Sequence, residues 1–193
     1  MNMYFFLLVY PILGGGIKLI DNIYDERIFS KKIAIAIAPL IGVLWAYTML
    51  IDEASTTILL AVIIGVLLKC KIDNLAHLIG IASIISFTVM AILYLDGMEV
   101  MMLPLIFLTS AALLDEVGND VIGYIHKYQD DSRFRYKFTL YFFGRRYLMK
   151  AALLYLVLLG VFPLYFLLAF ILFDEAYIIV DLYTPSSKKI SSS

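Results

Sequence analysis

Met3-Tyr-Phe-Phe-Leu-Leu-Val-Tyr-Pro-Ile-Leu-Gly-Gly-Gly-Ile-Lys-Leu-Ile20 runs directly into Asp21-Asn-Ile-Tyr-Asp-Glu-Arg27. An apolar segment close to the roughly 20 residues that cross a bilayer as a helix is followed at once by a dense acidic and basic cluster. The same alternation continues down the chain. Apolar runs cover 3–20, 32–51, 55–69, 76–95, 98–114 and 149–173, and charged segments separate them. The expected fold is therefore all-α: a polytopic integral membrane bundle of about six transmembrane helices, some short or kinked. Residues 1–183 form one transmembrane domain, and 184–193 form a short polar tail read as disordered.

Composition agrees. The chain has 193 residues, 63% of them AVILMFWYC, with a mean hydropathy of +0.93. That exceeds the apolar share of an ordinary soluble domain. The first residues lack a basic n-region and a small-residue cleavage site, so run one is read as a retained helix. The single Cys70 makes no internal disulfide and leaves the redox compartment open.

Charge sorts strongly. The linkers after runs one, three and five hold Lys18, Arg27, Lys31, Lys32, Lys69, Lys71, Lys127, Arg133, Arg135, Lys137, Arg145, Arg146 and Lys150, thirteen of the fifteen Lys and Arg. The opposite linkers are short and acidic: Asp52-Glu53, Asp96 to Glu99 and Asp174-Glu175. The positive-inside rule makes the basic side cytoplasmic and, with six spans, places both termini outside. A re-entrant segment near 139–149 or 176–183 would change that count and move the C-terminus.

Three acid-bearing segments fall on the cytoplasmic side. They are Lys18-x-x-Asp21-Asn22-x-x-Asp25, Lys69-x-Lys71-x-Asp73-Asn74-x-x-His77 and Asp115-Glu116-x-x-Asn119-Asp120. Asp21 and Asp25, four apart, share a helix face. Ile-Asp-Asn occurs in the first two segments, and read together the three suggest helix ends of a shared design that meet in one site. Ionisable residues at a membrane edge prompt a functional hypothesis.

Carboxylates from several helices suit Mg²⁺, which takes one or two of them and completes its shell with water and substrate phosphate. Asp21, Asp25, Asp73, Asp115 and Asp120 are the metal candidates. Lys18, Arg27, Lys71, Arg145 and Arg146 are the phosphate-binding candidates. Asp21, Asp25, Asp73 and His77 are the catalytic candidates, with His77 as general base. The reading is an Mg²⁺-dependent transferase or phosphohydrolase acting on a lipid phosphate or diphosphate at the cytoplasmic face. Its partners are membrane lipids, with no nucleic acid, and self-association into a homo-oligomer is compatible with it. The basic and aromatic stretch 126–147 fits lipid headgroups.

Two other classes stay open. One is a cation- or proton-coupled transporter using Asp21, Asp73 and Asp115. Mid-run positions offer only hydroxyls, namely Thr48, Ser83, Ser86, Thr88, Thr109 and Ser110, which tend to bond their own helix. The other is a membrane scaffold or assembly subunit whose acids are salt-bridge partners for nearby cations.

Asn22-Ile-Tyr-Asp25 resembles part of the Asn-Asp-x-x-Asp-x-x-x-Asp segment of UbiA-type prenyltransferases, which would imply Mg²⁺ and a prenyl diphosphate. Here the Asp precedes the Asn, position 29 is Phe rather than a third Asp, and six runs are fewer than that fold has. The family is not carried over. Pro39, Pro104 and Pro163, inside runs two, five and six, are expected to kink their helices. Gly14-Gly15-Gly16 is expected to serve close helix packing.

Overall fold

A computed structural model of the chain describes residues 2–26, 30–68, 74–94, 98–128 and 146–184; the side chains of 25, 26, 119, 120 and 122–128 stand outside that description. Seven helices lie among the described residues: α1 Met3–Glu26, α2 Lys31–Leu50, α3 Glu53–Leu68, α4 Leu75–Tyr94, α5 Met102–Tyr128, α6 Tyr147–Leu158 and α7 Leu164–Tyr183. Three segments, Met3–Tyr24, Lys31–Leu50 and Leu75–Tyr94, are long and apolar enough to cross a membrane. Leu8, Leu40, Leu93 and Leu103 are among many large apolar side chains left exposed.

Short polar side chains start several helices. Ser30 accepts from the Lys32 amide at 3.4 Å ahead of α2. Asp52 accepts from Ala54 and Ser55 at 2.9 and 3.1 Å ahead of α3. Asn74 accepts from the His77 amide at 2.8 Å ahead of α4. Each satisfies a first-turn donor that has no partner within its helix.

Helix directions follow from the pairs in contact. α1 and α7 run parallel: Phe6 meets Phe166 at one end, with ring centroids 4.8 Å apart, and Lys18 meets Asp181 at the other. α3 and α5 are parallel, with Thr57 Oγ1 accepting from the Met101 amide and Gly65 facing Ala112. α2 and α4 are parallel through Gly42 and Gly80. α1 and α2 are antiparallel, since Phe5 packs on Tyr47 and Gly16 faces Ile41. Odd-numbered α1, α3, α5 and α7 therefore end where α2, α4 and α6 begin.

This geometry corrects three expectations. Run 149–173 is not one helix but a hairpin of α6 and α7 around a turn at 159–163, where Gly160 takes φ 73°. α7 returns to the charged end, so the chain's described C-terminal end and its N-terminus lie at opposite ends of the bundle. The expected single helix over 149–173 gives way to two, because the apolar run holds a reversal that hydropathy averages over; the C-terminal residues 185–193 lie outside the described residues. Pro163 caps α7 with φ −62° and Pro104 sits in the first turn of α5, so neither interrupts a helix interior. Pro11 and Pro39 do lie inside helices.

The main core joins α1, α3, α5, α6 and α7 through Phe6, Tyr10, Leu13, Ile58, Leu108, Leu153 and Phe166, with Trp45 of α2 packed among them. Tyr10 is fully buried, and its hydroxyl is 3.1 Å from Ser55 Oγ, which satisfies both.

Candidate functional site

The charged ends of the odd helices surround a cavity of about 420 Å³. Its polar rim carries Lys18, Asp21 and Asn22 from α1, His77 from α4, Glu116 from α5, Arg146 before α6, and Tyr177 from α7. Its deeper walls are apolar: Ile41 and Trp45 of α2, Val62 and Ile63 of α3, Ile81 and Ile84 of α4.

Five close contacts between basic and acidic side chains organise the rim and its surroundings. His77 Nε2 lies 2.9 Å from Asp21 Oδ1. Lys18 Nζ lies 2.8 Å from Asp181. Arg146 reaches Glu116 at 3.7 Å. Lys150 Nζ lies 2.5 Å from Asp174 Oδ2 and 4.0 Å from Glu175. Lys18 and Arg146 also approach the Tyr177 ring, at 5.3 and 5.1 Å from its centroid, so two cations converge on one aromatic ring. Burial pushes the Tyr177 phenol up, opposed by these same two cations.

The structure thus brings together Lys18, Asp21, His77 and Arg146 of the residues proposed from sequence. Asp115 is close by but has another job. Its two carboxylate oxygens accept from the Leu148 and Met149 amides at 3.1 and 2.8 Å, so it caps α6 from across the bundle. Asp25 and Asp120 lie within α1 and α5, with their side chains outside the description. Arg27, Lys71, Asp73 and Arg145 lie outside the described residues altogether. Among the described residues, no group of three or more His, Cys, Asp or Glu is placed to hold a metal ion.

The three acid segments do not share a design. The first occupies the last turns of α1. The second contains the cap of α4. The third lies within α5, which continues to Tyr128. Their likeness in sequence arises because Asp and Asn serve both as caps and as partners for cations.

Of the rim residues, Asn22 and Glu116 stand in the acid segments with no role assigned to them from sequence, and Tyr177 is not singled out there; Lys150 is read only as a basic-side charge, Asp174 and Glu175 are read on the opposite side, and Asp181 is not read at all. A signal was present: Leu114-Asp-Glu116 and Phe173-Asp-Glu175 repeat one pattern. Assigning 149–173 to a single helix put the second copy on the wrong side.

Asp115 lies just beyond the apolar run 98–114, and burial raises its pKa to about 6, against the pull of the two amides and of Arg146. A carboxyl that holds its proton more tightly when folded adds stability at low pH. Its contribution is fully present below about pH 4, the unfolded carboxyl's range, and is lost as pH rises through about 6. Asp115→Asn should flatten that segment of the stability–pH curve, measured by thermal unfolding in detergent between pH 4 and 7. An unchanged slope would remove Asp115 as its source.

Of the mid-run hydroxyls, Thr48, Ser83 and Ser110 donate to Leu44, Ile79 and Ile106 carbonyls at 2.6, 2.8 and 2.8 Å within their own helices.

Comparison with protein-family models, curated proteins and solved structures gives no match to this chain.

Proposed function

We propose that this is a multi-pass membrane enzyme that binds an anionic lipid headgroup at the rim of the cavity and acts on its phosphate ester. One observation carries the reading: two cations, Lys18 and Arg146, converge beside the Asp21–His77 pair at the polar mouth of an otherwise apolar cavity. A phosphate entering the rim takes the place of the carboxylates that Lys18 and Arg146 now pair with, Asp181 at 2.8 Å and Glu116 at 3.7 Å. His77, oriented by Asp21, takes a proton from water as the water oxygen bonds to phosphorus. The phosphorus–oxygen ester bond breaks, and the leaving alcohol picks up a proton, giving inorganic phosphate and a lipid alcohol. Transfer to an acceptor hydroxyl follows the same balance with the acceptor in place of water.

Mg²⁺ belongs to the proposal. Asp21 and Asp25, four residues apart in α1, are the carboxylates assigned to it, and Mg²⁺ needs few protein ligands when phosphate and water complete its shell. The basic end of the bundle is assigned to the cytoplasm. Among the described residues Lys18, Lys31, Lys32, Arg146 and Lys150 lie at that end.

The test is phosphate release from a lipid phosphate in proteoliposomes. His77→Ala should lower turnover by roughly 100-fold or more, the range of general acid–base catalysis. Chelation should abolish it and Mg²⁺ restore it. Turnover that survives both His77→Ala and Asp21→Asn would remove this site from the chemistry, and no lipid-phosphate turnover by the unsubstituted protein would end the enzyme reading.

A scaffold is the second reading, and one observation favours it: Asp21, Glu116, Asp174 and Asp181 all have a cationic or histidine partner. It predicts that an Asp21→Ala and His77→Ala double variant loses stability or assembly while no lipid phosphate is ever turned over.

A further inference from the structure

The cavity has a side as well as a mouth. Val62, Ile63 and Val66 of α3 face it from one flank, and Ile81 and Ile84 of α4 from the other. Yet α3 and α4 scarcely touch among the described residues: α3 leans on α5 and α2, and α4 leans on α2. Two helices that line one cavity without packing on each other leave a slot between them. Beside that slot α4 is the most exposed of the three span-length helices, with Ile85, Val89 and Leu93 turned outward. An apolar slot opening on an apolar outer surface opens towards lipid tails rather than water.

Resting on the headgroup assignment above, we propose that the site takes single-chain lipid phosphates, loaded sideways from the bilayer between α3 and α4. The head sits against Lys18 and Arg146, and the chain runs past Trp45 and out through the slot. Charge complementarity selects the anionic head, and the walls select the chain. Size argues for one chain. About 420 Å³ lies towards the small end of the roughly 300–1,000 Å³ of ligand pockets, room for a headgroup and the first part of one chain. A glycerol backbone with two chains would have to pass both of them through the one slot. The slot has a sequence cause: Gly42 and Gly80 draw α2 against α4, so that a Cβ on Gly42 would stand 2.6 Å from the Gly80 carbonyl oxygen. α4 is thereby held to α2 and away from α3.

Trp45, the only tryptophan, lines this cavity and reports on it directly. The experiment titrates the full-length protein in detergent with bromine-labelled undecyl phosphate, bromine-labelled undecanol or a bromine-labelled two-chain phosphatidate, and reads Trp45 fluorescence. Saturable quenching is expected from the single-chain phosphate and not from the phosphatidate. Ile63→Phe and Ile84→Phe, which fill the slot, should each weaken it at least tenfold. Ile84→Ala, which widens the slot, should keep it and control for folding. Equal quenching by the two-chain lipid, or quenching indifferent to both phenylalanine variants, overturns the proposal. The alcohol separates the two claims. If alcohol and phosphate bind equally and Lys18→Gln changes neither, the slot stands and the headgroup assignment falls. If neither single-chain probe quenches saturably, the slot itself falls.

Discussion

Gly14→Ala is expected to cost the bundle about 3 kcal/mol or more, and Gly14→Val to leave little folded protein. A Cβ on Gly14 would lie 2.0 Å from the Phe173 carbonyl oxygen, 2.8 Å from its carbon and 3.1 Å from its Cα. All three atoms are backbone of α7, so no rotamer change relieves the contact. The two helices must separate along a seam that also holds Phe6 against Tyr165 and Phe166, and Lys18 against Asp181. Overpacking a core ordinarily costs about 1–3 kcal/mol, and a backbone obstacle puts this case at or above that range. Gly16→Ala is the internal control. Its Cβ meets the Ile41 Cδ1 at 2.6 Å, the far end of a flexible side chain that can turn away, so the loss should be near 1 kcal/mol. Denaturation midpoints of the two variants in detergent check the contrast. Equal losses would mean that α1 and α7 approach less closely than this geometry has them.

Asp174→Leu should destabilise nearly as strongly, by roughly 3–5 kcal/mol, because it strands the Lys150 ammonium in a largely buried position. The Asp174 side chain is 3% exposed and that of Lys150 12%. Their 2.5 Å contact joins α6 to α7 just inside the charged end, and Glu175, 4.0 Å from the ammonium, is a weaker second partner. Replacing both, with Lys150→Met and Asp174→Leu, should recover most of the loss, since an apolar pair of similar volume needs no charge partner. The double-variant cycle measures the coupling. Additive losses would show that the two residues act independently. The pair also bears on function: turnover retained in a stable double variant would place this contact among the supports of the site and outside its chemistry.

Part of the site was legible from composition and spacing alone. Lys18 and Asp21 stand out as charges at the end of an apolar run, and His77 as a lone imidazole one turn into the next polar boundary. Arg146 stands out as one of a basic pair. These signals are local, and the structure places all four around one cavity. Asp115 was equally conspicuous, yet it caps a helix more than thirty positions later, because both its oxygens meet amides at 3.1 and 2.8 Å. An acid that caps and an acid that faces a cavity look the same in one dimension. Tyr177 gave no warning at all: a tyrosine in an apolar helix is ordinary until two cations are found near its ring.

The amino-acid sequence by itself determined that the chain is helical, that several of its helices present apolar surfaces long enough for a membrane, and that charge gathers at their boundaries. Hydropathy over twenty residues, a capping Ser, Asp or Asn, and a glycine triplet each act within a few turns of chain, so they can be read without partners. Only the tertiary structure decided that 149–173 turns back on itself, that α7 lies parallel to α1, and that Asp21 meets His77 beneath Lys18 and Arg146. Those outcomes depend on which apolar faces fit together across the bundle. Gly14 against Phe173 and Gly42 against Gly80 settle that by steric exclusion between segments far apart in the chain.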